Sequence, residues 1–232
     1  MGHKVHPQIH RIGVLFPWRS RWVSEKNYAT YLQQDLMIRE YLFKTFADAH
    51  IDDVIIERGA KNVTITMFAA KPGVIIGRGG QGLDVLRKNI ERSFLKMSLK
   101  ARINVQEVSQ PSLSSQIIAQ QIAKDIENRI PFRRVMKQTI ERVMKAGAKG
   151  VKIEMGGRLN GVEIARREVL SQGKIPLITL RSHVDYSDKR AETMYGTIGV
   201  KVWVYKGESF EMIDKLSQPQ VQKKHTRHKK TQ

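Results

Sequence analysis

The six residues Gly77-Arg78-Gly79-Gly80-Gln81-Gly82 contain four glycines. They constrain this chain more than any other stretch, because a backbone bend or a close approach is what so many missing Cβ atoms provide. Three parses compete. As G-x-x-x-x-G the segment fails as a P-loop: Leu83 and Asp84 stand where a phosphate-neutralising Lys and a magnesium-holding hydroxyl are needed, and Asp84 would repel ATP. As G-x-G-x-x-G, Gly77, Gly79 and Gly82 satisfy a dinucleotide fingerprint, with Glu107 ending a later strand. However, Lys71-Pro72-Gly73 breaks the chain where a strand should run into the first glycine. As G-x-x-G, residues 77–80 join two helices, with Ile76 and Leu83 facing the core. A sugar–phosphate backbone can then approach peptide N–H groups at a helix N-terminus, and Arg78 adds charge at the tip. The bland alternative is a helix–helix corner with no ligand.

Charge favours the third parse. The 232 residues carry 41 Lys+Arg against 22 Asp+Glu, a formal net charge of +19. That self-repulsion asks for an anionic partner, either nucleic acid or an anionic membrane surface, against a merely well-charged surface; nucleic acid is favoured. The chain has no cysteine, which excludes a disulfide scaffold, a Cys-ligated zinc or iron–sulfur site and a cysteine nucleophile. No stretch approaches the ~18 apolar residues of a membrane span, and MGHKVHPQIHR is too polar for a signal peptide. His6 stands where myristoylation needs Ser or Thr. A protein without membrane attachment is expected, and the length favours two cores.

Residues 1–23 read as an extended arm in which Lys4, Arg11, Arg19 and Arg21 alternate with Pro7, Pro17, Trp18 and Trp22. Cations interleaved with indoles suit an RNA surface; equally, the tryptophans would pin the arm to the domain that follows. His3, His6 and His10 have no thiol or carboxylate to complete a metal shell, so no metal site is expected. Ser24 is the expected N-cap of a helix running towards Ala49. Residues 54–58 and 63–70 form a hairpin about the 59–62 turn, and the glycine turn, a helix and a strand at 102–107 follow. Pro111 and four serines within 109–115 mark a boundary. Beyond it come a helix striped by Ile117, Ile118, Ile122 and Ile126, a second helix opened by Pro131, and strands at 151–155, 180–186 and 197–205. Periodicity ends after Gly207, and from Lys215 onward there are cations but no carboxylate, as expected of a basic disordered tail.

A second basic site lies on the helix after Pro131. Arg133, Arg134 and Lys137 stand opposite the apolar stripe of Phe132, Val135, Met136, Ile140, Val143 and Met144. Like charges at this spacing cost a few tenths of a kcal/mol each. Glu141 can relieve Lys137, but Arg133 and Arg134 have no acidic neighbour on the helix. A solvated face explains such clusters often; the alternative is a row of guanidinium groups facing a phosphodiester chain.

The G-x-x-G turn between helices resembles the KH RNA-binding module, and the preceding helix–strand–strand order its type II topology. Over nearly its whole length the chain resembles the bacterial family of small-subunit ribosomal protein three. The segments that carry the resemblance are Gly2-His3-Lys4-Val5-His6-Pro7, Pro17-Trp18-Arg19-Ser20-Arg21-Trp22, the turn with its preceding Pro72-Gly73-Val74-Ile75-Ile76, Phe132-Arg133-Arg134-Val135-Met136-Lys137, Gly147-Ala148-Lys149-Gly150, Gly157-Arg158-Leu159-Asn160-Gly161, Pro176-Leu177-Ile178-Thr179-Leu180-Arg181 and Tyr195-Gly196-Thr197-Ile198-Gly199. Two departures stand out: Asn160 occupies a usual glycine position, where an αL turn would still tolerate Asn, and Ile178 replaces a usual histidine.

The resemblance implies an α+β protein: arm 1–23, type II KH domain 24–108, a second α/β domain 109–207 with two helices on a small sheet, and tail 208–232. It implies a non-enzymatic, cofactor-free constituent of the cytoplasmic ribosome that binds small-subunit rRNA in the head. The neighbours it implies are the proteins numbered ten and fourteen there, and those numbered four and five where messenger enters. On this basis residues Gly77, Arg78, Gly79 and Gly80 are expected at a KH clamp, and Arg133, Arg134 and Lys137 at incoming mRNA, supporting unwinding without ATP. Contacts to rRNA are expected at Lys4, His6, Arg11, Trp18, Trp22, Arg158, Arg166 and Arg181.

Overall fold

A computed structural model describes residues 5–95 and 99–216. The contact expected at Lys4 and the tail from 217 to 232 lie outside these residues. The fold is organised around two four-stranded sheets. The first has the order β1 (Ser20–Arg21), β2 (Ile51–Arg58), β3 (Asn62–Ala69), β4 (Lys100–Glu107). β2 and β3 form the expected antiparallel hairpin, closed by Gly59 N–H donating to the Asn62 carbonyl at 2.8 Å. β3 and β4 pair in parallel, which requires a crossover. That crossover is α2 (Pro72–Ile76), the glycine turn and α3 (Gln81–Ser93). With α1 (Tyr28–Thr45) the expected order of elements is complete. Ile38 and Leu42 of α1 and Leu86 and Ile90 of α3 close over Ile56, Ile65 and Met67. Each such buried aliphatic side chain contributes about 1.5–3 kcal/mol.

Ser24 does not cap α1. Its Oγ accepts from Asn27 N–H at 3.2 Å, closing a turn in front of the helix, which begins at Tyr28.

The second sheet is antiparallel throughout, in the order β6 (Arg166–Gly173), β5 (Gly150–Gly157), β8 (Gly196–Glu208), β7 (Ser182–Thr193). Two helices, α4 (Ser115–Glu127) and α5 (Phe132–Lys145), cover one face. The serine-rich boundary ends in an N-cap, where Ser114 Oγ accepts from Ile117 N–H at 3.3 Å. Ile118, Ile122, Val135, Ile140 and Val143 meet Val151, Ile153, Met155, Val200, Val202 and Val204 in a single core. β6 has no counterpart in the expected strands. Its sequence RREVLSQG has little apolar content because it is an edge strand paired only with β5.

The arm is not merely extended. A 3₁₀ turn at Ile9–Arg11 is followed by β1, which pairs in parallel with β2. Arg11 is fully buried, and its guanidinium donates to the carbonyls of Pro7 (2.8 Å), Leu177 (2.9 Å) and Thr179 (2.9 Å). This corrects the expectation of an rRNA contact there: the side chain is buried, and its two terminal nitrogens donate to four carbonyls, Pro176 included.

The chain also does not leave the folded body at 208. Ser209 N–H donates to the Arg181 carbonyl at 2.9 Å and Ile213 N–H to the Leu15 carbonyl at 2.7 Å. Lys215 Nζ lies 2.6 Å from Asp52 and 3.3 Å from Asp53. Asp214 pairs with Arg21 of the arm and Lys215 with the start of β2, pairings that local periodicity does not encode.

Candidate nucleic-acid interface

α2 ends with Gly77 N–H on the Gly73 carbonyl at 3.0 Å, and the backbone then turns through positive φ at Gly77 (70°), Gly79 (60°) and Gly80 (82°). Side chains other than Asn or Asp adopt such angles only with strain, so glycine is what lets the corner form. Gly80 is the N-cap of α3 and has no side chain to occupy the first helical N–H groups, leaving the positive end of the helix dipole open to an anion. Arg78 is exposed at the tip. Gly82 has a different purpose. A Cβ there would lie 2.7 Å from the Ile75 carbonyl oxygen, so the residue permits α3 to pack against α2. A helix, not a strand, runs into Gly77, which removes the dinucleotide parse on geometry.

Beside the turn lies an open cavity of about 320 Å³, lined by Leu83, Asp84 and Arg87 of α3 and by Ala101, Arg102 and Asn104 of the edge strand β4. Asp84 is held by Arg87 at 3.3 Å. Its lining is mixed, with Leu83, Ala101 and Ile103 beside the charged and polar Asp84, Arg87, Arg102 and Asn104. Sequence reading alone does not single out Arg87 and Arg102; Arg87 stands one turn after Leu83, at the edge of the Leu83, Leu86 and Ile90 stripe, and Arg102 lies in the alternation of β4, so their meeting follows only once the two elements are known to adjoin.

On α5 the buried positions recur as Phe132, Val135, Met136, Thr139, Ile140 and Val143, which fixes Arg133, Arg134 and Lys137 on the solvent side. The Arg133 side chain is 72% exposed. An acidic neighbour does exist, but off the helix: Glu168 Oε1 on β6 lies 3.6 Å from Arg133 and 3.4 Å from Arg166. One half-buried carboxylate shared by two guanidinium groups near the surface is a weak tether, of order 0–1 kcal/mol. Arg133 and Arg166 also approach the Phe132 ring, each 5.7 Å from its centroid. The structure therefore joins Arg166 to the α5 row.

Other expected RNA-contact residues are placed differently. Arg158 donates through Nε to the Val162 carbonyl (2.9 Å) and through Nη1 to the Tyr195 carbonyl (3.2 Å), so it fixes a loop at the Arg166 end of the second sheet. Arg181 pairs with Glu208 at 3.0 Å, next to the start of β7, and the strand register puts it at the opposite end. Trp18 is 67% exposed. Trp22, by contrast, packs on Tyr28 and Tyr31 and donates to Asp35 at 2.8 Å, so of the two readings of the indoles it takes the pinning one. His6 meets the Tyr186 ring edge-on at 4.6 Å, and its pKa is lowered, first by burial and then by Arg19.

Family matches cover the regions that hold both the turn and α5. Residues 37–113 match the KH domain family, and residues 122–204 match the family of the ribosomal protein S3 C-terminal domain. The chain is 48% identical over 208 residues to small ribosomal subunit protein uS3 of Listeria welshimeri serovar 6b, covering 90% of this chain and 94% of the relative. It is 45% identical over 218 residues to the uS3 protein of Bacillus cytotoxicus, covering 94% and 98%. With that of Streptococcus pyogenes serotype M5 the identity is 45% over 208 residues, covering 90% and 94%.

Proposed function

This chain belongs to the family of small ribosomal subunit protein uS3, ribosomal constituents with a KH RNA-binding domain and not enzymes, and from that premise we propose that it holds rRNA in the head of the subunit and offers α5 to incoming messenger. Arg133, Arg134 and Lys137 meet the phosphodiester chain, and the turn at Gly77, Arg78, Gly79 and Gly80 receives a second stretch of backbone. Residues 24–108 and 109–207 serve as the two folding units, with proteins ten and fourteen as neighbours in the head, and four and five where messenger enters.

The observation that carries this proposal is the α5 row. Three cations project from one rigid helix, and the acid that faces Arg133 is a half-buried Glu168 that Arg166 also uses. No ATP is required. Translocation pulls the messenger, and fixed cations favour the separated strand by neutralising its phosphates.

The test is Arg133→Ala with Arg134→Ala in reconstituted ribosomes. Translation of hairpin-containing messages is expected to slow while unstructured messages are unaffected; equal rates on both would refute the role.

A further inference from the structure

The end of the second sheet that carries Arg166 also carries an aromatic ring that the α5 row does not use. Tyr195 lies in the tight turn between β7 and β8, closed by Thr193 Oγ1 donating to the Gly196 carbonyl at 2.6 Å, and it is 53% exposed. Exposure alone means little for a tyrosine at a hairpin tip. Its mounting means more. The 3₁₀ turn Leu159–Gly161 lies against the ring so closely that a Cβ at Gly161 would sit 2.9–3.2 Å from Tyr195 Cε2, Cδ2 and Cζ. Arg158 ties the same two segments together, holding the Val162 and Tyr195 carbonyls, with its guanidinium 5.9 Å from the ring centroid. The ring is thus backed on one side and fixed by its main chain, at low entropic cost to a ligand.

Cations stand near it, alongside Glu127, whose carboxylate accepts from Glu192 N–H at 3.1 Å. Arg129 reaches the neighbouring Met194 sulfur at 3.6 Å, and Gly157 pairs with Arg166, which shares the Phe132 ring with Arg133. Cations that follow a backbone beside a rigid ring that stacks on a base are what sequence-tolerant single-strand binding requires.

We propose that Tyr195, braced by Gly161 and Arg158, is a stacking platform for an unpaired base of the RNA strand that passes the Arg133, Arg134 and Lys137 row. This rests on the assignment of α5 to single-stranded messenger. Any base stacks, so the platform holds a melted strand without reading its sequence.

The test uses the full chain and a single-stranded oligouridine, with affinity followed against salt. Tyr195→Phe keeps wild-type affinity. Tyr195→Leu, which preserves apolar bulk but not the π-face, weakens binding about fivefold or more with the salt slope unchanged, because no phosphate contact is lost. Arg133→Ala with Arg134→Ala weakens binding and flattens the slope. Wild-type affinity in Tyr195→Leu, with the arginine variant impaired, overturns the platform and leaves the α5 assignment standing. If neither variant changes affinity, the α5 assignment fails and the platform falls with it. A fold-independent check is photocrosslinking of 5-iodouridine oligomers to the wild-type chain. An adduct on Tyr195 supports the platform; adducts that bypass it overturn the proposal.

Discussion

Single residues show most sharply what composition and pattern can and cannot reveal. Asn160 lies at φ 57°, ψ 25°, in the left-handed region that the sequence allowed an Asn at a glycine position to adopt. Arg11 went the other way. Among alternating prolines and cations it reads as an RNA contact, but three of the four carbonyls that capture it belong to Pro176, Leu177 and Thr179, more than 160 positions away. No local period carries that information. Arg11→Ala would leave those buried acceptors without donors and is expected to cost about 2–4 kcal/mol in urea unfolding. The salt dependence of RNA binding should stay unchanged in the variant; a flattened slope would return Arg11 to the interface. Trp18 and Trp22 divide for a similar reason, since only Trp22 has Asp35 and two tyrosines within reach.

Elements were legible where their own side chains supply the period. The hairpin, α4 and α5 announce themselves by β-branched runs and by apolar positions three and four apart, and the structure extends their strands by a few residues where partners hold the backbone. β6 and β1 were not legible, because β5 and β2 supply the pairing and the apolar surface for them. The glycine turn was legible in part. Its left-handed angles follow from composition, whereas the role of Gly82 in bringing α3 against α2 emerges only from packing. Gly82→Ala forces a methyl group to 2.7 Å from the Ile75 carbonyl, and the expected loss is about 1–3 kcal/mol in thermal or urea unfolding. An unchanged midpoint would mean that the two helices part without cost.

At the scale of the whole molecule, three carboxylates, Asp52, Asp53 and Asp185, stand where the domains, arm and tail root meet. Asp52 accepts from Ser114 Oγ and faces Lys215; Asp53 faces Lys215 and Arg19; Asp185 faces Lys206 at 3.6 Å and accepts from Ser115 N–H at 3.0 Å. Burial pushes Asp185 up, but the Lys206 and Lys215 ammonium groups outweigh it and hold the carboxyl below its ordinary value. Nearby, His183 packs against Phe16 of the arm at 5.5 Å, and burial, with help from Lys206, lowers its pKa to about 4. The folded state therefore prefers neutral His183 while the unfolded chain protonates near 6.5. Stability is full above that value and falls by roughly 2–3 kcal/mol as pH drops from 6.5 towards 4. Urea titrations across this window should show the decline in the wild type and a shallower one in His183→Gln; identical slopes would remove His183 as its source. Below pH 4 the Asp185 contribution is lost as well, since a depressed carboxyl stabilises only while ionised. The most direct test of the account is crosslinking of messenger to intact small subunits containing this chain, with the modified peptides mapped. Adducts on the peptide bearing Arg133, Arg134 and Lys137, and none on buried Arg11, are the expected result; messenger adducts absent from that helix would contradict it.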